Sequence, residues 1–374
     1  MRILILGPAD NPHIIKWVRA LSEKNIEIAL FSLNGSVKNY YKDYTRVKVY
    51  SLNLLGNKIK TTSLINKLQY LRTINLIKKI IKEFKPNIVH AHYASSYGLL
   101  GVLSGFHPLI ISVWGSDIYK FPNRNFMTKL VLKYNLKKAD CILSTSYAMK
   151  EETQKYTSKN ILITPFGVDL NIFKPVNLTL DDDKKDIVIG IIKSLEAIYG
   201  IEFLIKAFAI LKNKYKNLPL KLLIVGDGSL RRELEELVEN LDIKNLVYFT
   251  GRISYDKISK YHNMVDIAVY PSESESFGVA VIEAGACEKP VIVSNVGGLP
   301  EVVENGKTGF VVKYGDINAI VNALERLILD KQLRKNMGKN ARKRIMKLYD
   351  WKNSVKLMLK IYENLVKGKS KCAQ

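Results

Sequence analysis

The chain has 374 residues, enough for roughly two or three domains with sizeable cores. A hydrophobic content of 47% and a charged content of 25% are typical of a globular protein and exclude wholesale disorder. The net charge of +23, most of it in residues 1–170, favours anionic partners such as nucleotides or an acidic lipid surface, although solubility alone would also explain it.

Three features bear on the cellular compartment. Cys141, Cys287 and Cys372 are far apart and odd in number, which argues against a disulfide framework and for a reducing cytoplasm. The apolar start MRILIL indicates a buried strand rather than a signal peptide. No run reaches the roughly 18 apolar residues of a membrane span. We therefore predict a cytoplasmic protein, with peripheral contact at the inner face of the cell membrane left open.

Strand-like apolar runs alternate with amphipathic helix-like runs, which predicts a parallel α/β structure. In the first half, helices are predicted over PHIIKWVRALSEKN and SLINKLQYLRTINLIKKIIKEF. The predicted strands of this half lie, in chain order, in RILILGP, IEIALFSL, IVHAHYA, PLIISVWGSD, ADCILSTS and NILITPFGVD.

Residues 174–186 are polar, include a proline and an acidic run, and are the best candidate for a linker. The alternation restarts after them. The sequence therefore predicts two doubly wound, Rossmann-like parallel-sheet domains facing each other across a cleft, a preferred place for a small-molecule site. The later strands are predicted in IVIGIIKS, LPLKLLIVGDGS, KNLVYFTGR, VDIAVYPS, PVIVSN and TGFVVK.

Polar residues and glycines cluster where the predicted strands end. In open parallel sheets, ligands bind beyond the carboxyl ends of the strands, where loops meet helix N-termini. This regular placement is a stronger indication of a ligand site than any single motif. The loops concerned are residues 7–13, 90–93, 114–117, 193–200, 226–231, 271–277 and 297–301.

Two glycine-containing turns are candidates for phosphate binding. Gly297 and Gly298 follow a strand and leave main-chain amides exposed at a helix start, which suits a diphosphate but also an ordinary turn. Gly226 and Gly228 form a similar turn, and Arg231 or Arg232 after them could meet a phosphate. The third glycine of a dinucleotide fingerprint is missing, so the second turn is a weak signal.

Two other strand ends carry candidate polar side chains. His90 and His92 share one face of a strand end, where one of them could hydrogen-bond a ligand. A metal pair has no third ligand close in sequence. Asp117 could bind an acceptor hydroxyl, or it could cap the next helix.

Two basic clusters suit either an interfacial helix or the solvated face of a packed helix. The first lies within residues 58–85, and the second consists of Lys129, Lys133, Lys137 and Lys138. Nucleic acid is not an expected partner, because no basic run is interleaved with aromatic residues.

Two carboxylates, Glu275 and Glu283, bracket a run of small apolar residues. The small residues predict a closely packed helix, so Glu283 should be partly buried and should need donors such as sugar or ribose hydroxyls. A continuous helix would separate the two acids by about 12 Å, more than the about 5 to 9.5 Å of a hydrolase pair. With Glu275 on the preceding loop the two acids could come nearer, but the simplest interpretation is two different contacts on one elongated ligand.

The segment PSESESFGVAVIEAGACEKPVIVSNVGGLPEVVENGKTGFVV closely resembles the signature of retaining glycosyltransferase family 4, which has the GT-B fold. The two glutamates, the Gly-Gly-x-Pro-Glu turn and their spacing all match. The resemblance covers nearly the whole chain. Further matches are VDIAVYPS, VGDGSLRREL, PFGVDLNIFKP, PNIVHAHYA and GPADNPHIIKWVRAL.

The resemblance implies transfer of a sugar from a nucleotide-diphosphate donor to an acceptor, with retained anomeric configuration and without a metal ion or cofactor. Residues 1–173, completed by the C-terminal helix 351–374, would bind the acceptor, and residues 187–350 would bind the donor. The expected acceptor is a glycan or a lipid-linked molecule in the biosynthesis of a cell-surface polysaccharide or glycoconjugate. A nucleotide-sugar epimerase of the same fold and a non-catalytic binding protein are the alternatives.

The same resemblance implies roles for individual residues. Glu275 would contact the donor sugar, Asp117 would lie at the acceptor side of the reacting centre, and Lys193 would be the cation that binds the diphosphate. Glu283 would hold the ribose. The remaining donor-binding candidates are Ser276, Phe277, Gly278, Gly226, Arg231 and Gly297, and those on the acceptor side are His13, His92 and Trp114.

The chain departs from the family pattern at two positions. A second diphosphate cation commonly precedes a glycine in the family, but Tyr199 stands before Gly200 here. Many members have a histidine where this chain has Trp114. The resemblance therefore implies neither a second diphosphate cation at Tyr199 nor a catalytic histidine at Trp114.

Overall fold

The structure, a computed structural model, describes residues 1–33, 40–51, 64–176 and 186–368, without the side chains of 64–71. The chain forms two compact units. The first comprises residues 1–164 and the chain from Val355 onward, and the second comprises Pro165–Ser354. Each unit contains a parallel sheet with helices, as the alternating pattern predicts.

The sheet of the first unit has the strand order β3-β2-β1-β4-β5-β6-β7. Its strands β1, β4 and β5 are almost entirely buried, which explains their near-continuous apolar sequence. The strands are β1 Arg2–Leu6, β2 Glu27–Ser32, β3 Val47–Ser51, β4 Ile88–His92, β5 Leu109–Val113, β6 Cys141–Ser144 and β7 Ile161–Ile163. The helices are α1 Pro12–Ser22, α2 Leu64–Phe84, α3 Ser96–Ser104, α4 Ser116–Tyr119, α5 Phe126–Lys138 and α6 Tyr147–Gln154.

The sheet of the second unit has the order β10-β9-β8-β11-β12-β13. Its strands are β8 Ile187–Ile192, β9 Leu220–Val225, β10 Val247–Phe249, β11 Ile267–Tyr270, β12 Val291–Ser294 and β13 Gly309–Val312. The later helices are α7 Ile201–Lys214, α8 Arg231–Asn240, α9 Tyr255–Met264, α10 Val279–Ala286, α11 Leu299–Val302, α12 Ile317–Leu329, α13 Lys331–Leu348 and α14 Trp351–Val366.

The boundary between the units precedes the proposed linker at 174–186. Phe173 packs in the second unit, where its ring lies 6.0 Å from that of Tyr255 and 5.8 Å from that of His262. Residues 177–185 of the linker lie outside the described ranges. The domain limits 1–173 and 187–350 stay a prediction, but residues 165–173 pack with the second unit.

The two described cysteines are both buried. Cys287 is a free thiol, and Cys141 lies at the start of β6 and is 1% exposed. Cys372 lies outside the described residues. The reducing compartment inferred from the number and spacing of the cysteines stays a prediction.

The C-terminal helix α14 supplies a polar contact to the first sheet. The hydroxyl of Tyr362 lies 2.7 Å from Nδ1 of His90, and Oγ of Ser112 lies 2.7 Å from Nε2 of the same ring. Both nitrogens of His90 are therefore used within the fold, which argues against the metal-pair interpretation of His90 and His92.

The buried His90 should make stability depend on pH. Burial lowers the pKa of His90 to about 3, whereas an unfolded chain takes up this proton below about pH 6.5. The stability that neutral His90 contributes is therefore fully present above about pH 6.5 and is lost as the pH falls toward 3. Thermal unfolding should show a Tm that falls as the pH is lowered, and His90→Gln should reduce the slope of Tm against pH. An unchanged slope would contradict this assignment.

Candidate active site

The strand order of the second sheet changes direction between β8 and β11, because β9 and β10 lie on one side of β8 and β11 to β13 on the other. At such a switch point the loops after the two strands diverge and leave a crevice for a ligand. Lys193 directly follows β8, and Glu275 lies on the loop after β11. Two of the three catalytic candidates therefore flank this crevice.

Lys193 and Glu275 form an ion pair, with Nζ of Lys193 2.5 Å from Oε2 of Glu275. Their side chains are only 17% and 14% exposed, so solvent screens the pair weakly. Burial alone would lower the pKa of Lys193, but the attraction of Glu275 and Tyr199 outweighs burial and raises that pKa. The ammonium is therefore charged at neutral pH, as a diphosphate-binding cation must be.

The ring of Tyr199 also contacts this ammonium. Nζ of Lys193 lies 4.5 Å from the ring centroid, within the range of a cation–π interaction. The loop that carries Tyr199 is held against the loop after β11, because the N–H of Glu273 donates to the carbonyl oxygen of Ile198 at 2.8 Å. An aromatic ring that positions Lys193 thus occupies the place where the resemblance implied a second cation.

The turn formed by Gly297 and Gly298 packs on the main chain of Glu275. A Cβ on Gly297 would lie 1.8 Å from the carbonyl oxygen of Glu275, and the φ of Gly297 is +49°. The N–H of Gly298 donates to the same oxygen at 3.1 Å. The expectation of free amides is therefore wrong for Gly298, and the turn fixes the position of Glu275. A donor contact by Gly297 stays a prediction.

Gly297→Ala should destabilise the second unit more than backbone strain alone explains. A positive φ costs an alanine about 1–2 kcal/mol, and the overlap with Glu275 adds to that cost. Gly306→Ala is the matched control, since Gly306 has a φ of +77° but no heavy atom within 4 Å of an added Cβ. Thermal unfolding should show the larger loss at Gly297, and equal losses would contradict the close contact.

A second glycine turn approaches the segment after β8. A Cβ on Gly226 would lie 1.9 Å from the carbonyl oxygen of Lys193, and one on Gly228 would lie 2.5 Å from that of Leu195. These glycines therefore let the loops after β8 and β9 lie against each other.

Arg231, at the start of α8, already has partners. Its Nε donates to Glu235, and its guanidinium carbon lies 4.6 Å from the ring centroid of Phe249. A donor contact by Gly226 or Arg231 stays a prediction.

Glu283 lies within α10 and is 6% exposed, which confirms its predicted burial. The hydroxyl of Tyr255 lies 3.5 Å from Oε1 and Nε2 of His262 lies 3.4 Å from Oε2. Burial, followed by the charge of Glu283, raises the pKa of Tyr255, so this hydroxyl keeps its proton. Both distances are long for hydrogen bonds. The carboxylate can therefore still accept from a ligand hydroxyl, and its ribose role stays a prediction.

The loop that enters α10 carries three donor-binding candidates. The side chain of Phe277 is buried between Phe166 and Tyr349, at ring-centroid distances of 6.0 and 5.4 Å. Gly278 has a φ of +101° directly before α10, and Ser276 is half-buried beside them. Phe277 therefore anchors this loop in the core through its side chain. The donor contacts of these three residues stay predictions.

The first sheet changes direction between β1 and β4, and a cluster of rings lies near the ends of these strands. The ring of Trp114 is 4.7 Å from His92, 5.7 Å from His13 and 5.1 Å from Tyr93, between centroids. Burial, followed by the charges of His90 and His13, holds the pKa of His92 well below its usual range. Nδ1 of this buried ring has no hydrogen-bond partner among the described residues. The structure thus brings the three acceptor-side candidates together.

Asp117 is 1% exposed, and its carboxylate accepts three main-chain N–H groups. Oδ2 accepts from Ala94 at 2.7 Å, and Oδ1 accepts from Trp114 at 3.1 Å and Gly115 at 2.8 Å. Burial raises the pKa of Asp117, and these hydrogen bonds oppose the shift. The contacts fix the loops after β4 and β5 to each other. They favour the structural alternative for Asp117, and its catalytic role stays a prediction.

Comparison with known proteins shows the family. Residues 2–146 match the model described as "Glycosyl transferase 4-like", and residues 179–344 match "Glycosyl transferases group 1". The chain belongs to the group 1 glycosyltransferases. The GT-B fold implied by the resemblance is therefore confirmed for this glycosyltransferase.

Individual relatives align over nearly the full length of this glycosyltransferase. An uncharacterized glycosyltransferase of Methanocaldococcus jannaschii is 26% identical, with 94% of this chain and 93% of the relative covered. The capsular polysaccharide biosynthesis glycosyltransferase CapM of Staphylococcus aureus is 29% identical, with 91% of each chain covered. HepE of Anabaena, solved in complex with UDP and glucose, has a TM-score of 0.79 at 20% identity, covering 98% and 100%.

Within the described ranges of this glycosyltransferase, no group of three or more His, Cys, Asp or Glu side chains is placed to hold a metal ion. None of the helices in those ranges combines the length and the apolar character that crossing a membrane requires.

Three residues of this glycosyltransferase site were not predicted from the sequence. Tyr255 and His262 contact Glu283 from α9, where they stand seven residues apart and thus on one face of the helix. That spacing could have indicated a polar pair directed at one neighbour. The sequence shows that Tyr199 stands where the family commonly has a second cation. No sequence pattern indicates that its ring contacts Lys193.

Proposed function

We propose that this glycosyltransferase moves a sugar from a nucleotide-diphosphate sugar to a glycan or lipid-linked acceptor, with retained anomeric configuration and without a metal ion. The observation that carries the proposal is the Lys193–Glu275 ion pair at the switch point of the second sheet. It puts one cation and one carboxylate within 2.5 Å of each other, in a crevice suited to a nucleotide.

Lys193 is suited to the leaving group. When the bond between the anomeric carbon and the diphosphate breaks, negative charge grows on the diphosphate oxygen, and a positioned ammonium stabilises it. Because Lys193 supplies this charge from the protein, the reaction does not require a divalent cation. The main-chain amides that precede α10 add a second source of positive potential.

Glu275 is suited to the sugar. A carboxylate beside the anomeric carbon favours the positive charge that this carbon develops, and the diphosphate oxygen takes the proton of the acceptor hydroxyl as the new bond forms. Glu283 has a separate set of partners in Tyr255 and His262, which suits a contact with the ribose. These separate roles of Glu275 and Glu283 favour transfer over the epimerase alternative, which needs acid and base groups around one sugar.

The acceptor is proposed to belong to the biosynthesis of a cell-surface polysaccharide or glycoconjugate. The similarity to a capsular polysaccharide glycosyltransferase supports this class. The ring cluster around Trp114 is proposed to contact the acceptor through His13 and His92. We place the protein in the cytoplasm, with peripheral contact at the inner face of the membrane, where the positive surplus of the first half would meet anionic lipid.

The proposal is tested by incubating the purified protein with a panel of nucleotide sugars and candidate acceptors, beginning with UDP-glucose because a structural neighbour binds UDP and glucose. We expect transfer from at least one donor, with unchanged rates in EDTA. Nuclear magnetic resonance of the product should show the anomeric configuration of the donor. An inverted product would disprove retention, and activity abolished by EDTA and restored by a divalent cation would disprove metal independence.

Tyr199→Ala should lower kcat/KM by about tenfold, because a cation–π contact of about 1 to 2 kcal/mol no longer positions Lys193. Tyr199→Phe keeps the ring and should stay within about twofold of the wild type. Steady-state kinetics with the identified donor measures both variants. If both lost activity equally, the hydroxyl rather than the ring would be the important group, contrary to our assignment.

A further inference from the structure

The helix α5 exposes apolar side chains on the face that points away from the core. Phe126 is 72% exposed, Met127 65%, Leu130 42% and Tyr134 44%. Successive residues of a helix are rotated by about 100°, so these four side chains fall within an arc of about 100°. Packing against the described residues leaves these four large side chains between 42% and 72% exposed.

The opposite face of α5 attaches the helix to the first unit. Leu132, Asn135 and Leu136 are fully buried. The amide nitrogen of Asn135 donates to the carbonyl oxygens of Ala94 and Ser95, at 2.8 and 3.1 Å. The helix is therefore held firmly, and its outer apolar face, defined as Phe126, Met127, Leu130 and Tyr134, is presented outward.

Cations flank this outer apolar face. Residues 118–139 contain Lys120, Arg124, Lys129, Lys133, Lys137 and Lys138 and no Asp or Glu. All six cations are exposed. On the helix, Lys129 and Lys133 lie to one side of the apolar arc and Lys138 lies to the other side. Lys137 falls within the arc, three residues after Tyr134, and so borders the apolar face at its C-terminal end. An apolar strip bordered by cations is the pattern of a helix that lies in the interface of an anionic bilayer.

The other basic cluster of the sequence does not share this arrangement within the described residues. In the described part of α2, Ile77 and Ile80 are buried in the core of the first unit, and Ile74, Ile81 and Phe84 pack against that core. The lysines of α2 therefore cover a helix whose described apolar side is already packed, as on a solvated face. The part of the cluster at residues 58–71 lies outside the described side chains.

We propose that α5 docks the protein on an anionic lipid bilayer, with the outer apolar face inserted among the headgroups and the flanking lysines on lipid phosphates. This inference rests on the proposed membrane contact and names the surface that makes it. The bilayer is favoured over a protein partner by charge complementarity, because the cations border the apolar strip without any acid among them.

Vesicle flotation of the full chain tests the inference, with vesicles of phosphatidylcholine alone or with about 30% phosphatidylglycerol. We expect binding only to the anionic vesicles. Replacing Phe126, Met127 and Leu130 by serine should weaken binding at least about tenfold, since each buried apolar group contributes to insertion. The control replaces Ile210 and Leu329 by serine. Their side chains are 43% and 57% exposed on the second unit, and this variant should bind as the wild type does.

Two variants with the same net charge distinguish binding through the α5 surface from attraction by the overall positive charge. Replacing Lys129, Lys133, Lys137 and Lys138 by glutamine should weaken vesicle binding at least about tenfold. The control replaces four exposed lysines of α13 by glutamine, with the same change in net charge, and should retain binding. These are Lys331, Lys335, Lys339 and Lys343. Equal losses in the two variants would overturn the inference in favour of non-specific attraction.

Two further results would also overturn it: flotation of the serine variant at the wild-type level, or sedimentation as a dimer that this variant abolishes. In Phe126→Trp, the fluorescence should shift to shorter wavelength with anionic vesicles relative to the wild type. UDP binding by calorimetry reports separately on the proposed function, since every donor contact proposed above lies in the second unit. Vesicle binding without UDP binding would leave the docking surface standing and would count against the proposed donor.

Discussion

Lys193→Met should lower kcat/KM by about 100- to 1,000-fold, because removing one preorganised electrostatic group from a transition state costs about that much. Methionine keeps the length of the side chain without its charge. Since the charge on the diphosphate grows as the bond breaks, the loss should fall mainly on kcat. Initial-rate kinetics over a range of donor concentrations separates kcat from KM.

Lys214→Met is the control for this variant. Lys214 forms an ion pair with Glu325 at 2.6 Å in the same unit, but its side chain is 54% exposed. Loss of an exposed ion pair has little effect on stability, so this variant should stay within about twofold of wild-type activity. Equal activities of the two variants would show that Lys193 does not act on the reaction.

Glu275→Gln should lower kcat/KM by about 100-fold, because glutamine keeps the shape of the side chain but loses the charge that favours the positive anomeric carbon. Glu273→Gln, two residues earlier on the same loop and exposed, is the control. It should keep nearly full activity. If the Glu275→Gln variant were as active as this control, Glu275 would have no role in the reaction.

The same substitution should also change the pH profile. Burial lowers the pKa of Lys193, and the attraction of Glu275 is the largest influence that raises it. Without that carboxylate, less attraction opposes the lowering of the Lys193 pKa by burial. Lys193 should therefore lose its proton at a lower pH. The alkaline limb of the kcat/KM profile should therefore move to lower pH in Glu275→Gln. A limb that does not move would mean that Lys193 does not set it.

Much of the fold was readable from the sequence, because buried parallel strands are apolar on both faces. All six strands of the second sheet lie in the runs predicted for them. In the first sheet β3 was missed. It lies at the sheet edge, and its five residues are half-buried or exposed, so it lacks the continuous apolar run of the central strands.

The site was predicted less completely, since contacts depend on which strands become neighbours. Lys193 and Glu275 were both singled out, but their pairing follows from the adjacency of β8 and β11, and 82 positions separate them in sequence. The burial of Glu283 was predicted from the small residues around it. Its partners on α9 were not, because no short-range pattern specifies which helix packs on α10.

The role of α14 has a consequence for how the protein is made. Strands β1 to β7 are translated before the second unit, yet the hydroxyl that Tyr362 brings to His90 is translated after it. The first unit is therefore incomplete while Pro165–Ser354 is synthesised as one uninterrupted stretch that can fold in the meantime. A chain truncated after Ser354 should therefore hold a complete second unit and an unfinished first one.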